Sequence, residues 1–499
     1  MPDSRRSPQA PSFPVWRWGV LASILLGAGL RLHGLAAESI WLDEATSILL
    51  AKMDLLALVR TTAQDIHPPV YYALLHFWLA LGDGEFIVRA FSALAGILAI
   101  PFLYQLGRAL YDEQTGLIAS LLLAVSPLHI WYSQEARMYA LVTLLTLAGS
   151  TWLWRATQRE RRLDWLAYAL SMSLALYTHY HAIFVLSAIN AFVLLRWALL
   201  PAPRPSLRNW LLAQGAIVLL FLPWLPVLLD QIATGGGYWI AEAIGHPSPR
   251  VLVETWIDYS IGNARLWYPV AWRRLGYALF AGASLLGVGA AVGQWRRKPS
   301  SRPSQAFLFN LLYLALPLGA VWLASQFKPM YARRYLLPFL PPYLLLLAAG
   351  LRQISWARWR VALAGALLVL CLLGAGFMAY YPQNDAWRSA VAYVQAQAQP
   401  GDVVAFVPMW NYKPFDYYAQ GALALYHELP VPVPDGADME ALLAPLARYQ
   451  RLWLVWTPGH YADPDGRVRA YLDGHSGRLL RGDFAGAGQV SLYDLSVSP

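Results

Sequence analysis

The sequence predicts a polytopic α-helical membrane protein with a small α/β domain at its C-terminal end. Of the 499 residues, 58% are hydrophobic and only 13% are charged, whereas a soluble domain carries about 25% charged residues. Apolar stretches long enough to cross a bilayer recur as far as residue 381. The remaining residues, 382–499, contain Gly, Asp and Pro between short apolar runs and form the second predicted domain.

About eleven membrane-spanning helices are expected in residues 1–381, because each crossing needs about 20 mostly apolar residues. The predicted spans are 15–35, 86–107, 114–131, 138–154, 163–178, 181–199, 209–229, 273–293, 307–326, 335–350 and 361–381. The apolar stretch 70–81 is shorter and is bounded by Pro-Pro and Gly-Asp-Gly. It is therefore expected to be an interfacial or re-entrant helix that does not cross.

The basic residues predict the orientation of these spans. If 70–81 does not cross, most of the loop Arg and Lys lie on one side, which is then the cytoplasm. These basic loops are 158–165, 201–209, 294–302 and 352–360. The net charge of +9 thus indicates orientation in a plasma or inner membrane and not a nucleic-acid partner. The single cysteine, Cys371, excludes an intramolecular disulfide and a cysteine-based metal site.

The C-terminal segment alternates helical and strand-like patterns. Helices are predicted at 385–402, 439–449 and 466–475, and strands at 403–407, 451–456 and 489–495. This alternation favours a small α/β layer domain with a parallel sheet. It has no glycine-rich nucleotide fingerprint.

Several acids, bases and aromatic residues fall on the predicted outer face, and their chemistry suits sugar transfer from a lipid phosphate. A carboxylate can deprotonate the incoming hydroxyl, and arginine can stabilise the phosphate as it leaves. No nucleotide site is required if the donor arrives in the membrane. The candidates are an acid pair, Asp43 and Glu44, and the binding residues His67, Tyr71, Glu135, Arg137, Tyr139, Lys328, Arg333 and Arg334.

Four motifs in the chain resemble GT-C fold glycosyltransferases of the family-39 type. Such enzymes are relatives of the protein O-mannosyltransferases and of the aminoarabinose transferases that modify lipid A. The motifs are "WLDEA" (41–45), "DIHPPVYYALLHFW" (65–78), "YSQEARMYAL" (132–141) and "RRYLLPFLPPYLLLLA" (333–348). The resemblance implies that Asp43 is the catalytic base and that a polyprenyl-phosphate sugar is the donor on the outer face. One base and direct displacement predict inversion at the sugar.

Some alternatives remain open from the sequence. His67 stands where the aminoarabinose transferases carry a lysine, so the acceptor is a protein, a lipid or an envelope glycan. The competing function is a transporter or flippase of lipid-linked sugars, although the chain shows no internal repeat of helical halves. No cofactor is assigned. Involvement of a divalent metal is left open, because His179 and His181 alone do not make a ligand set.

Overall fold

A computed structural model of the protein describes residues 15–199, 204–234, 245–262, 269–380, 385–458 and 460–496. The chain folds into two compact units. The helical unit comprises Met1–His33, Leu55–Leu74 and Arg89–Tyr380, and the sheet unit comprises Gly34–Asp54, Leu75–Val88 and Tyr381–Pro499. The division into domains 1–381 and 382–499 stays a prediction, since the sheet unit also includes two earlier segments.

The chain up to residue 380 is built almost entirely of α-helices. In chain order they are α1 (Val15–Leu32), α2 (Leu42–Lys52), α3 (Leu55–Ala63), α4 (Val70–Trp78), α5 (Glu85–Leu110), α6 (Glu113–Val125), α7 (Pro127–Ser133), α8 (Tyr139–Arg159), α9 (Arg162–Leu176), α10 (Ala182–Leu199), α11 (Leu207–Phe221), α12 (Leu225–Ala233), α13 (Arg250–Ile261), α14 (Val270–Arg297), α15 (Arg302–Ala324), α16 (Leu340–Arg352) and α17 (Ala357–Tyr380). A 3₁₀ helix, Arg333–Phe339, leads into α16.

The protein is a multi-pass membrane protein, but the predicted count of eleven spans is not confirmed. A helix lies at each predicted position, yet six segments in the described part of the chain are long and apolar enough to cross. They are Glu85–Leu110, Leu207–Ala233, Val270–Arg297, Arg302–Ala324, Arg333–Arg352 and Ala357–Phe377, and the bent pair α6–α7 would be a seventh. The segment Val70–Leu81 is a shorter apolar helix, and its expected non-crossing position stays a prediction.

Helix α8 is long enough to cross a membrane, but it is not among the six segments that are also apolar enough. Thr143, Thr146 and Thr151 are buried, and each hydroxyl donates to the carbonyl four residues earlier at 2.8 Å. Such hydroxyls lower the mean hydropathy of a helix while their own donors are satisfied by its backbone. A helix of this kind can therefore be surrounded by other helices without meeting the apolarity expected of a lipid-facing span.

A buried arginine supports the sharp bend between α6 and α7, whose axes differ by 59°. Pro127 has no N–H to donate to the carbonyl of Leu123, as a continuous helix would require. The Arg31 guanidinium, fully buried on α1, donates instead to the carbonyls of Leu123 (3.0 Å) and Ala124 (2.9 Å). It also bonds His129 Nδ1 at 2.8 Å. Helix α1 therefore fixes the direction in which α7 leaves the bend.

The sheet unit contains one mixed five-stranded sheet with strand order β2-β1-β3-β5-β4. Strands β2, β1 and β3 are parallel, and β5 and β4 are added antiparallel. The strands are β1 (Val403–Val407), β2 (Ala424–Tyr426), β3 (Arg451–Trp456), β4 (Gly477–Phe484) and β5 (Gly488–Asp494), and the helices are α18 (Trp387–Gln395), α19 (Tyr412–Ala419), α20 (Met439–Leu443) and α21 (Arg467–His475).

The expected α/β layer domain is thus observed, although two of its strands lack a sequence signal. Strand β1 is buried at every position, as its apolar run indicates. By contrast, β2 has only three residues, and β4 alternates between partly buried and exposed positions. Both are edge strands, which need little apolar sequence because one edge meets no other strand. The antiparallel β4–β5 pair makes the sheet mixed and not purely parallel, which corrects the expectation of a parallel sheet.

Helices α14 and α16 approach each other closely through small residues. A Cβ atom added at Gly350 would lie 2.2 Å from the carbonyl oxygen of Ala283, and one at Gly287 would lie 2.4 Å from that of Leu346. Backbone atoms cannot move aside as a flexible side chain can. Glycine is therefore required at this crossing, in the way that small residues allow close packing of membrane helices.

We predict that Gly350→Ala lowers the stability of the helical unit, because the new methyl group would force α14 and α16 apart. Overpacking of this kind costs about 1–3 kcal/mol. The measurement is the thermal unfolding midpoint of the purified protein in detergent. Gly365→Ala is the matched control, since a Cβ there meets nothing within 4 Å; equal midpoints for the two variants would contradict the prediction.

Candidate functional site

The acid pair occupies the first turn of α2, in the sheet unit. Glu44 is fully buried, and its Oε2 accepts a hydrogen bond from the Trp41 amide at 3.4 Å. This is the geometry of a carboxylate that caps the start of a helix. Asp43 is partly exposed in the same turn, where the helix dipole favours a negative charge. The structure thus gives Glu44 a capping position and leaves Asp43 partly exposed.

The C-terminal part of the sheet unit holds the segment that leads into α2. The Tyr418 hydroxyl of α19 accepts a hydrogen bond from the Ile40 amide at 2.7 Å and also bonds Glu85. Arg388 of α18 forms an ion pair with Glu85 and donates to the Ala36 carbonyl. Because these contacts link residues far apart in sequence, the position of Asp43 depends on the folded C-terminal segment.

In the helical unit, five aromatic and imidazole rings form what we call the ring cluster: His67, Tyr139, His179, His181 and Tyr335. Tyr335 lies at its centre, with ring centroids 4.9 Å from His179, 5.1 Å from His181 and 6.1 Å from Tyr139. His67 lies 5.5 Å from His179. The turn containing His67 is joined to the turn after α9 by the Val70 amide, which donates to the Tyr177 carbonyl at 3.1 Å.

Two arginines border the ring cluster and determine its charge. The guanidinium of Arg137 lies 5.8 Å from the ring centre of Tyr139, and that of Arg334 lies 5.5 Å from that of Tyr335. Burial lowers the pKa of His67 well below its usual range, and the positive charges of Arg137 and Arg334 lower this pKa further. The histidine is therefore neutral at pH 7, and the arginines supply the positive charge.

Burial acts in the same direction on the two histidines in the turn between α9 and α10. It lowers the pKa of His179, and protonation of the neighbouring His181 or His67 would lower this pKa further. It also lowers the pKa of His181 to about 4. Within the described part of the chain, the buried Nε2 atoms of both rings have no hydrogen-bond partner. A neutral imidazole can donate or accept at such an atom. The cluster therefore offers polar atoms to a ligand without adding charge.

Tyr71 supports the position of Arg137. Its fully buried hydroxyl bonds the Ser92 hydroxyl at 3.0 Å, and the Ser92 hydroxyl in turn bonds the Arg137 carbonyl at 3.0 Å. Glu135 accepts a hydrogen bond from the Trp131 indole at 2.6 Å, and the Arg137 amide donates to the Glu135 carbonyl at 2.7 Å. Arg137 is thus held by neighbours on α4, α5 and α7.

The three basic residues predicted at 328–334 lie in different surroundings. Lys328 is exposed, and Arg334 borders the ring cluster. Arg333 forms an ion pair with Asp258 of α13 at 2.6 Å, and that carboxylate is buried. The predicted phosphate-binding roles of these three residues stay predictions.

Tyr335, His179 and His181 are not among the binding residues predicted from the sequence. Tyr335 directly follows the basic pair in "RRYLLP", and the histidines lie in "YTHYH", so local signals existed. Their convergence on one ring was not visible in sequence. Among the residues that the structure describes, no three His, Cys, Asp or Glu side chains form a group able to hold a metal ion.

The fold is that of the GT-C membrane glycosyltransferases, as the resemblance implied. Residues 66–229 match the dolichyl-phosphate-mannose-protein mannosyltransferase family. This match includes His67, Tyr71, Glu135, Arg137, Tyr139, His179 and His181. No curated protein sequence matches the chain significantly.

Solved structures confirm the fold over nearly the whole chain. ArnT from Cupriavidus metallidurans bound to undecaprenyl phosphate is 12% identical, with a TM-score of 0.59, over 97% of this chain and 98% of ArnT. Its apo state gives a TM-score of 0.63 over 97% and 99%. The Archaeoglobus fulgidus oligosaccharyltransferase complex with Zn and sulfate is 13% identical, with a TM-score of 0.59, over 95% of this chain and 73% of that chain.

We predict that Asp258→Asn destabilises the helical unit, because it leaves Arg333 beside a neutral group. Removing one partner of a buried ion pair costs about 3–5 kcal/mol, and partial exposure of Arg333 reduces that figure. The thermal unfolding midpoint in detergent should fall by several degrees. Glu254→Gln removes the exposed pair with Arg250 and should have little effect; a similar loss in both variants would contradict the prediction.

Proposed function

We propose that the protein transfers a sugar from a polyprenyl-phosphate donor to an acceptor hydroxyl at the extracytoplasmic face of the plasma or inner membrane. The main supporting observation is the ring cluster, whose buried neutral rings are bordered by Arg137 and Arg334. Arg137 lies in the segment that matches a family of lipid-phosphate-dependent mannosyltransferases, and Arg334 contacts the cluster from outside that segment. The undecaprenyl phosphate bound to ArnT, which has the same fold, supports a lipid phosphate as the donor carrier.

The phosphate of the donor would interact with Arg137 and Arg334. Arginine matches phosphate oxygens with paired N–H donors, and its charge stabilises the phosphate as negative charge develops on it. Neutral His67, His179 and His181 would add hydrogen bonds. Tyr71 would act indirectly, since its hydroxyl is bonded to Ser92, which holds the Arg137 backbone. Glu135 and Tyr139 would position the same arginine, and Lys328 and Arg333 stay further candidates.

Asp43 would act as the general base. In the proposed step, the acceptor hydroxyl transfers its proton to Asp43 as its oxygen attacks the anomeric carbon. The bond from that carbon to the phosphate oxygen breaks, and polyprenyl phosphate leaves. A single displacement inverts the anomeric configuration. Glu44 would keep α2 in place through its cap on Trp41. No step of this displacement requires a metal. No observation on this chain favours a transporter.

We predict that Asp43→Asn lowers sugar transfer by about 10²–10⁴-fold, the usual contribution of a general base. The protein in lipid nanodiscs would receive a panel of polyprenyl-phosphate sugars, and the measurement is release of free polyprenyl phosphate. Asp483→Asn, on an exposed strand, is the matched control. Equal turnover in Asp43→Asn and the wild type would rule out the base, and retained anomeric configuration in the product would rule out the single displacement.

We also predict that Arg137→Gln raises the KM for the lipid donor at least about 10-fold, because it removes a charged hydrogen-bond donor to phosphate. Initial rates of polyprenyl phosphate release, measured against donor concentration, give this KM. Arg358→Gln removes an exposed arginine that stacks on Trp356 instead and should keep the wild-type KM. An unchanged KM in Arg137→Gln would exclude its contact with the donor phosphate.

A further inference from the structure

The chain diverges at the carboxyl edge of the parallel half of the sheet. Strands β2, β1 and β3 are parallel, so their carboxyl ends lie at the same edge. The chain leaves β1 through α19 toward β2 on one side, and it leaves β3 through α21 toward β4 on the other. In open α/β sheets, such a point of divergence is where ligands bind.

Aromatic and imidazole rings follow each of the three strands at this edge. Trp410 and Tyr412 follow β1, His427 follows β2, and His460 and Tyr461 follow β3. Trp410 lies 5.6 Å from His460 and 6.0 Å from Tyr461, measured between ring centroids. Tyr412 stacks on His427 at 4.5 Å. We call these five rings the edge rings.

The edge rings are not part of the two apolar cores that cover the faces of the sheet, although Tyr412 touches one of them. His427 is exposed, Tyr461 is 39% exposed, and Trp410 is partly exposed. The loops after β1 and β3 are joined by Asn411, whose side-chain amide donates to the Thr457 hydroxyl at 3.0 Å. Accessible rings in two groups, Trp410 with His460 and Tyr461 and Tyr412 with His427, are therefore available to a ligand at this edge.

The chemistry of these rings suits a carbohydrate. The face of an aromatic ring carries partial negative charge, and it attracts the C–H groups on the apolar face of a pyranose. Hydroxyl and imidazole groups at the ring edges can bond sugar hydroxyls. Burial lowers the pKa of His460, so this imidazole is neutral at pH 7. The turn after β1 reads Pro-Met-Trp-Asn and lacks the glycines of a phosphate-binding loop.

The edge rings are close in the chain to the contact that joins α19 to the helix of the acid pair. Lys413, the residue after Tyr412, donates from Nζ to the Thr46 hydroxyl of α2 at 3.3 Å. Thr46 is three residues after Asp43, a rise of about 4.5 Å along a helix. Both features belong to the sheet unit. A ligand on the edge rings is thereby held by the same compact unit that carries the proposed base.

We propose that the edge rings bind the carbohydrate part of the acceptor, so that the acceptor is a glycan or a glycan-bearing molecule. This inference rests on the proposed function, since it assigns the acceptor of that reaction. The edge rings favour a saccharide acceptor over a peptide, because aromatic faces match the apolar faces of pyranose rings and a peptide needs no such surface.

The test uses the full-length protein in nanodiscs with linear manno-, malto- and chito-oligosaccharides and with serine- and threonine-containing peptides. Saturation-transfer NMR measures saccharide binding, and transfer from the active polyprenyl-phosphate sugar gives the acceptor KM. We expect one oligosaccharide series to bind and to accept sugar. Trp410→Ala and Tyr461→Ala should each raise its KM at least about 10-fold. Tyr449→Ala, at the opposite edge of the sheet before β3, should keep the wild-type KM.

Two results would overturn the inference: acceptance of peptides alone, or an unchanged KM and unchanged NMR signal in both edge-ring variants. Because Tyr461 is accessible, its variant stays informative if Trp410→Ala fails to fold, and thermal unfolding identifies that failure. The proposed function fails differently, through absence of polyprenyl phosphate release from the wild type with every donor. Saccharide binding lost in Tyr461→Ala would still support the edge rings in that case.

Discussion

The hydrogen bonds from buried Arg31 to the end of α6 support the bend that leads the chain toward Glu135 and Arg137. Within a membrane, backbone carbonyls need protein donors, because water is excluded. Pro127 removes one helical donor, and Arg31 replaces it from another helix while also bonding His129. The bend that results directs α7 and the segment containing Glu135 and Arg137. Removing Arg31 would take a donor from the carbonyls of Leu123 and Ala124 and a partner from His129 at once.

The ring cluster shows how burial separates charge from hydrogen bonding. The histidines are held neutral by their surroundings, and Arg137 and Arg334 keep the charge. A lipid phosphate would meet two cations and several neutral polar atoms in an apolar setting, where electrostatic attraction is stronger than in water. The hydrogen bonds from Tyr71 through Ser92 to the Arg137 backbone restrict the motion of that arginine. Such restriction is what a preorganised site requires.

The sheet unit brings the acid pair and the edge rings into one compact unit, although more than three hundred residues separate them in sequence. Its early segments supply the acid pair, and its C-terminal segment supplies the sheet and the edge rings. Tyr418 and Arg388 join these parts through the Ile40 amide and Glu85. If the edge rings hold an acceptor glycan, the structure that binds the acceptor is also the one that carries its base, and the donor phosphate is left to the helical unit.

Local sequence was sufficient to predict the membrane class, the C-terminal α/β domain and the motifs that carry Asp43, His67 and Arg137. These features depend on composition and on short patterns, which a linear chain displays directly. The predicted number of spans stays unconfirmed, because helices such as α8 bond their hydroxyls to their own backbone and do not reach the apolarity expected of a lipid-facing span. Strands β2 and β4 were missed because edge strands need little apolar sequence.

The folded chain was needed to establish which candidates share an environment. It paired Arg333 with Asp258, gave Glu44 a capping position, and gathered His67, Tyr139, His179 and His181 around Tyr335. It also aligned the rings that follow three parallel strands, since strand order and direction determine which loops are neighbours. Such relations join residues far apart in sequence. They are governed by packing and charge in three dimensions, which no local pattern records.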